Sequence, residues 1–133
     1  MKETTGIGTI AKGLAHIGIF AKDIDASIDF YKRLGFSLDG EENIGIRLAF
    51  LSAGSCIIEL VEQKNPETRI AGVVDHIAFE VDDIDDAIRR ANAAGIAVNT
   101  AEIASLSILG GVKNVFFTGP DGERLEFFAR FSK

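Results

Sequence analysis

The feature that most constrains this chain is an internal duplication. Residues 14–28 read LAHIGIFAKDIDASI, and residues 73–88 read VVDHIAFEVDDIDDAI. His16 lies over His76, Asp23, Ile24 and Asp25 over Asp83, Ile84 and Asp85, and Ile28 over Ile88, each at a spacing of 60. Two copies are too few for a solenoid of stacked repeats. The duplication therefore predicts one domain built from two equivalent modules.

Each copy predicts the same elements. AHIGIF is short, apolar and bounded by turn residues, which is the pattern of a strand. Asp23 then suits a helix N-cap. Asp25 suits the first turn, where a carboxylate meets the positive end of the helix dipole. Ile24, Ile28, Tyr31 and Leu34 recur at helical spacing, and Gly35 supplies a left-handed stop. In the second copy DHIAFEV is the strand, Asp83 the cap, Ile84, Ala87, Ile88 and Ala91 the buried stripe, and Gly95 the stop. Further strands are predicted near FSLDG, IRLAFLS and SCIIELVE, and again near IAVNT, VKNVFFTG and ERLEFFAR, with turns at 52–55 (SAGS) and 119–122 (GPDG).

The predicted fold class is α+β, with two tandem βαβββ modules, residues 14–62 and 73–131, forming a curved mixed sheet with helices outside. The halves are expected to pair into one continuous sheet. Residues 1–13 read as a leader, 14–133 as a single domain, and 62–72 (EQKNPETRIAG) as a polar linker. Aligning Glu59 with Glu126 puts Phe50 over Phe117 and raises the spacing to 67. The extra residues of the second copy are placed in TAEIASLSILGG, 100–111, a loop that could cover a site.

Composition narrows the function classes. A chain of 133 residues can bury a real core. With 47% apolar residues disorder is not expected. No apolar run approaches the roughly 18 residues of a membrane span. The first residues lack the apolar stretch of a secretory signal, so a cytoplasmic location is expected. The net charge of −6, with no cluster of Lys and Arg, argues against nucleic acid as a partner. The single cysteine, Cys56, has no intrachain disulfide partner, which fits a reducing compartment, and it reads as a small packed residue.

Strand alternation sorts the polar residues. His16 shares a face with Gly18 and Phe20, and His76 shares one with Ala78 and Glu80. The opposite faces carry Ile17 and Ile19, and Ile77, Phe79 and Val81, which suit packing under the helices. Glu59 lies mid-strand in CIIELVE and Glu126 in RLEFFA, and a carboxylate there is costly to bury without a partner. Arg47 or Arg124 could satisfy one of them. If the halves pair about a pseudo-twofold axis, His16, Glu59, His76 and Glu126 converge from four strands. Two imidazoles and two carboxylates form a site for a divalent ion such as Zn, Ni, Co, Fe or Mn.

At HIGIFAKDIDASIDFYKRLGF, IIEL, DHIAFEVDDIDDAI and GPDGERLEFF, the chain resembles the vicinal-oxygen-chelate superfamily over about residues 14–131. That superfamily includes glyoxalase I, methylmalonyl-CoA epimerase, extradiol dioxygenases and the bleomycin- and fosfomycin-resistance proteins. The resemblance implies a glyoxalase I-like lyase. In that type a His, Glu, His, Glu quartet binds one divalent metal ion, here His16, Glu59, His76 and Glu126. Epimerases usually have Gln where Glu59 stands. The resemblance also implies Glu126 as the principal base, with Glu59 sharing the proton, and chemistry through a metal-stabilised enediolate next to a carbonyl. It implies a small-molecule substrate, either a 2-oxoaldehyde–thiol adduct or an acyl-CoA. It implies a homodimer; in many relatives each site takes two ligands from each chain, and the sequence leaves open whether the four ligands here meet within one chain or across two. A methylmalonyl-CoA epimerase-like enzyme and a non-catalytic, resistance-type binding protein are the alternatives. Phe20 stands where bacterial glyoxalase I usually carries an arginine, and Gln63 where it carries an asparagine, so glutathione is not implied as the thiol.

Overall fold

The computed structural model describes residues 14–64, 74 and 76–131. Residues 1–13, expected as a leader, and most of 62–72, expected as a linker, lie outside the described residues. The first module runs β1 (Ile17–Ala21), α1 (Ile24–Leu34), β2 (Ser37–Asn43), β3 (Arg47–Ala53) and β4 (Cys56–Glu62). The second runs β5 (Ile77–Glu80), α2 (Ile84–Ala93), β6 (Ala104–Leu106), β7 (Val112–Thr118) and β8 (Arg124–Arg130), with short 3₁₀ turns at Thr100–Glu102 and Ile108–Gly110. Two βαβββ modules are therefore present, as the duplication predicts.

The helix boundaries follow from local chemistry. The Asp23 carboxylate accepts the Ala26 N–H at 3.1 Å, and Asp83 accepts that of Asp86 at 3.2 Å. Each cap satisfies a backbone donor that has no intrahelical partner. Gly35 ends α1 at φ +115°, a conformation closed to most side chains. The buried face of α1 is Ile24, Ser27, Phe30 and Tyr31, whereas Ile28 and Leu34 are only partly covered. The stripe is rotated toward Ser27 because the hydroxyls of Ser27 and Tyr31 reach the other module. Ser27 donates to Asp121 Oδ2 at 3.0 Å, and Tyr31 donates to Glu123 Oε2 at 2.8 Å.

Each module forms its own four-stranded sheet, in the orders β1-β4-β3-β2 and β5-β8-β7-β6. The strand pairs β1–β4 and β5–β8 are parallel, and the remainder are antiparallel. The sheets do not join into one within the chain. β1 and β5 are both edge strands, and a cleft of about 490 Å³ opens between them, lined in part by His16, Cys56, Ile57, Ile77 and Ala78. The modules associate through their helix-facing sides instead. Ile58 and Leu60 of β4 and Leu125 and Phe127 of β8 enter one apolar core with both helices, and Phe36 meets Phe79 edge-on at 5.6 Å. Each fully buried Leu or Ile there contributes about 1.5–3 kcal/mol.

Besides the expected continuous sheet, which the chain does not form, two further sequence expectations need correction. IAVNT is not a strand; the sixth strand lies further on, at Ala104–Leu106. The backbone of Val98 is bracketed by one side chain, its N–H donating to Asn92 Oδ1 at 2.8 Å and its carbonyl accepting from Asn92 Nδ2 at 3.2 Å. Ile96 and Val98 are buried all the same, which is why the segment reads like a strand. The second correction concerns the alignment of the halves. Phe50 pairs with Glu59, and Phe116 pairs with Glu126. The counterpart of Phe50 is therefore Phe116, not Phe117. The spacing is 60 at Gly35 and Gly95, 66 at Phe50 and Phe116, and 67 at Glu59 and Glu126. Most of the insertion thus falls between Gly95 and Phe116, which includes the predicted loop, and a further residue enters the longer β7–β8 turn.

Candidate metal centre

Strand register builds each half of the site. In the first module His16 directly precedes β1, whose Gly18 lies opposite Glu59 on β4. His16 Nε2 stands 3.4 Å from Glu59 Oε1. A Cβ at position 18 would meet that oxygen at 3.9 Å, an ordinary contact, so the approach does not require glycine. In the second module His76 directly precedes β5, whose Ala78 lies opposite Glu126 on β8, and His76 Nε2 stands 3.1 Å from Glu126 Oε1. Each imidazole is set by an aromatic edge: His16 against Phe50 with centroids 6.1 Å apart, His76 against Phe116 at 5.3 Å.

The donor chemistry suits a divalent ion. Nitrogen and oxygen ligands bound at about 2.0–2.2 Å around one ion lie roughly 3–3.5 Å from one another. Both pairs have that spacing. Among the described residues, however, no three His, Cys, Asp or Glu side chains gather where they could hold one ion. A single chain thus presents two His–Glu pairs, one per module, rather than an assembled quartet.

The two pairs differ in their surroundings. The Glu126 side chain is 6% exposed and that of Glu59 is 20% exposed. Glu126 Oε2 accepts a hydrogen bond from Asn114 Nδ2 at 2.7 Å, and Asn114 is itself buried. The register places Leu48 at the equivalent point beside Glu59, since Leu48 lies opposite Val61 and Asn114 opposite Phe128. Asn114 was not singled out from the sequence. The signal was its polarity on the inward alternation of VKNVFF, legible only once Phe116 is aligned with Phe50.

The arginines considered as partners for the glutamates act elsewhere. Arg47 forks onto Asp25 at 2.9 and 3.1 Å and also reaches Glu41 at 3.1 Å. Its hydrogen bonds and charge hold the Asp25 carboxyl below its usual range. The Arg124 guanidinium lies over the Phe116 ring, 3.8 Å from its centroid. Burial pushes the Cys56 thiol up, away from the thiolate that nucleophilic chemistry needs. Phe20 is half-exposed on the histidine face of β1.

A model of the glyoxalase/bleomycin resistance protein/dioxygenase superfamily matches residues 13–127. The chain belongs to this superfamily. It is 37% identical to the uncharacterized protein YwbC of Bacillus subtilis over 128 residues, which covers 91% of this chain and all of that one. It is 32% identical over 113 residues to the metallothiol transferase FosB of Staphylococcus epidermidis, covering 84% of this chain and 77% of that one. Among solved structures, a glyoxalase family protein from Enterococcus faecalis superposes with a TM-score of 0.75 at 28% identity, covering 88% of this chain and 97% of the other. The paired modules are this superfamily's fold. No helix of the described residues is long and apolar enough to cross a membrane.

Proposed function

We propose that the protein is a metal-dependent lyase or isomerase of the glyoxalase I type, acting on a small molecule by moving a proton on the carbon next to a carbonyl. The observation that carries this reading is the repeated His–Glu pair, with nitrogen and oxygen donors 3.4 and 3.1 Å apart in the two modules. His16, Glu59, His76 and Glu126 would hold one divalent ion of the Zn, Ni, Co, Fe or Mn group. When bound, that ion supplies Lewis-acid polarisation of the substrate oxygens, worth several kcal/mol. Glu126 takes the proton in this reading. Contacts on both of its oxygens fix the direction in which it meets a C–H bond, and geometry is the first requirement of a general base. Glu126 then delivers the proton to the neighbouring carbon; in an epimerisation Glu59, protonated at the outset, would instead deliver its own proton to the opposite face, leaving the two carboxyls with exchanged protonation states.

The centre forms between two copies of the chain. Each chain offers one half-set per module, and β1 and β5 are edge strands able to pair with another chain. A twofold dimer that joins the first module of one protomer to the second module of its partner completes two identical centres. The lone cysteine fits a cytoplasmic setting for this chemistry.

Metal-dependent thiol transfer is the second reading, favoured by the 32% identity to FosB. One panel tests both readings. Protein purified without chelator should carry about one divalent ion per chain and should consume methylglyoxal with a low-molecular-weight thiol. Turnover of methylmalonyl-CoA would indicate epimerisation instead. Thiol addition to fosfomycin would indicate the transferase. Metal-free protein inert in every assay would refute the enzymatic reading.

A further inference from the structure

The duplication gives both modules the same ligand pair, but among the described residues only one pair has a dedicated support. Asn114 lies on β7, two residues before Phe116, and faces the same side as Glu126. Its amide must donate in this contact, because an ionised carboxylate offers acceptors only. At 2.7 Å the bond is short for an amide donor, as charge-assisted bonds are. The support is built into the core: Asn114 is 6% and Glu126 4% exposed, and neighbouring Val112 and Val115 are fully buried. In the first module the matching position is Leu48, which has no donor to offer Glu59.

We propose that Asn114 is a positioning residue for the metal centre. It ties back Oε2 of Glu126 and presents Oε1, the atom beside His76, as a single fixed donor. The second module would then be the preformed half of the centre, and the first, with Glu59 untethered, the adjustable half. This inference rests on the proposed four-ligand centre. Outer residues that orient a ligand typically govern about 10–100-fold in metal affinity.

The test is a chelator-competition titration of Co(II), read by the visible absorption of the bound ion, on the parent protein and on Asn114→Leu, Asn114→Ser and Leu48→Asn. Asn114→Leu installs the first module's residue and should weaken Co(II) binding by about 10-fold or more, with a lowered thermal midpoint because a buried carboxylate oxygen loses its donor. Asn114→Ser keeps a hydroxyl donor and should recover part of the loss. Leu48→Asn supplies the missing donor to Glu59 and should tighten binding, a result independent of whether Asn114→Leu folds. If Asn114→Leu is folded and binds Co(II) within twofold of the parent, the positioning role is overturned. So is it if Asn114→Leu fails to fold and Leu48→Asn leaves affinity unchanged. Parent protein that binds no Co(II) sinks the four-ligand reading itself, a failure separate from either.

Discussion

At the scale of single residues, the four proposed ligands separate by what each change should remove. His76→Ala takes away an imidazole donor with little effect on packing, since the side chain is partly exposed. Metal content after dialysis should fall well below that of the parent, and unchanged content would argue against His76 as a ligand. Glu126→Gln keeps the shape and an oxygen donor while removing the base, so the metal should stay substantially bound while turnover drops about 10²–10⁴-fold. Tyr31 tests the fold instead. Burial, reinforced by the charge and hydrogen bond of Glu123, pushes its phenol far above the ordinary range near 10.0. The folded state therefore keeps a proton that the unfolded chain releases in alkali. The stabilisation is complete below about pH 10 and is lost as pH rises above it. The urea midpoint should fall between pH 8 and pH 11, and Tyr31→Phe should flatten that fall. His16, Glu59, His76 and Glu126 were all legible as candidates because duplication repeats them. Asn114 and the Asp121–Glu123 pair are not repeated, so the duplication did not mark them, and the polarity of Asn114 within VKNVFF became a signal only with Phe116 aligned to Phe50.

At the scale of elements, the caps and the GPDG turn carry separable stability. Asp83→Ala removes the side-chain N-cap of α2 and should cost about 1 kcal/mol, a shift of a few degrees in melting temperature. Asp121→Ala should cost more, about 2–3 kcal/mol, because Asp121 accepts from both the Lys22 N–H and the buried Ser27 hydroxyl and thereby ties the second module to α1. Equal melting shifts for the two variants would contradict that role. Strands β1, β3, β4, β5, β7 and β8 and both helices were legible, because their alternation or their helical stripe faces a core. Two features were not. The sixth strand is only three residues long and exposed throughout, so it carries no burial pattern. The buried Ile96 and Val98 mimic a strand although Asn92 satisfies the Val98 backbone group that a sheet would otherwise pair. The same blind spot hid the one-residue difference between the β3–β4 and β7–β8 turns and moved the partner of Phe50 to Phe117.

At the scale of the molecule, the central claim is that the metal centre belongs to two chains. The sequence implied two modules and an expected continuous sheet, and the second expectation fails: the chain holds two separate sheets. Within one chain they remain separate, because the helix faces and the Asp121–Glu123 contacts bring the modules together by another route. Co-expressing two variants tests the claim most directly. One carries His16→Ala with Glu59→Ala, and the other His76→Ala with Glu126→Ala. Neither alone should hold the ion. In the mixed dimer, one of the two centres draws its first module from the second variant and its second module from the first, and is intact. Random pairing makes half of the dimers mixed, so the preparation should recover about a quarter of the parent's metal. Recovery at that level is the expected result. Dimers that mix freely yet hold no metal beyond the separate variants would contradict a centre shared between chains.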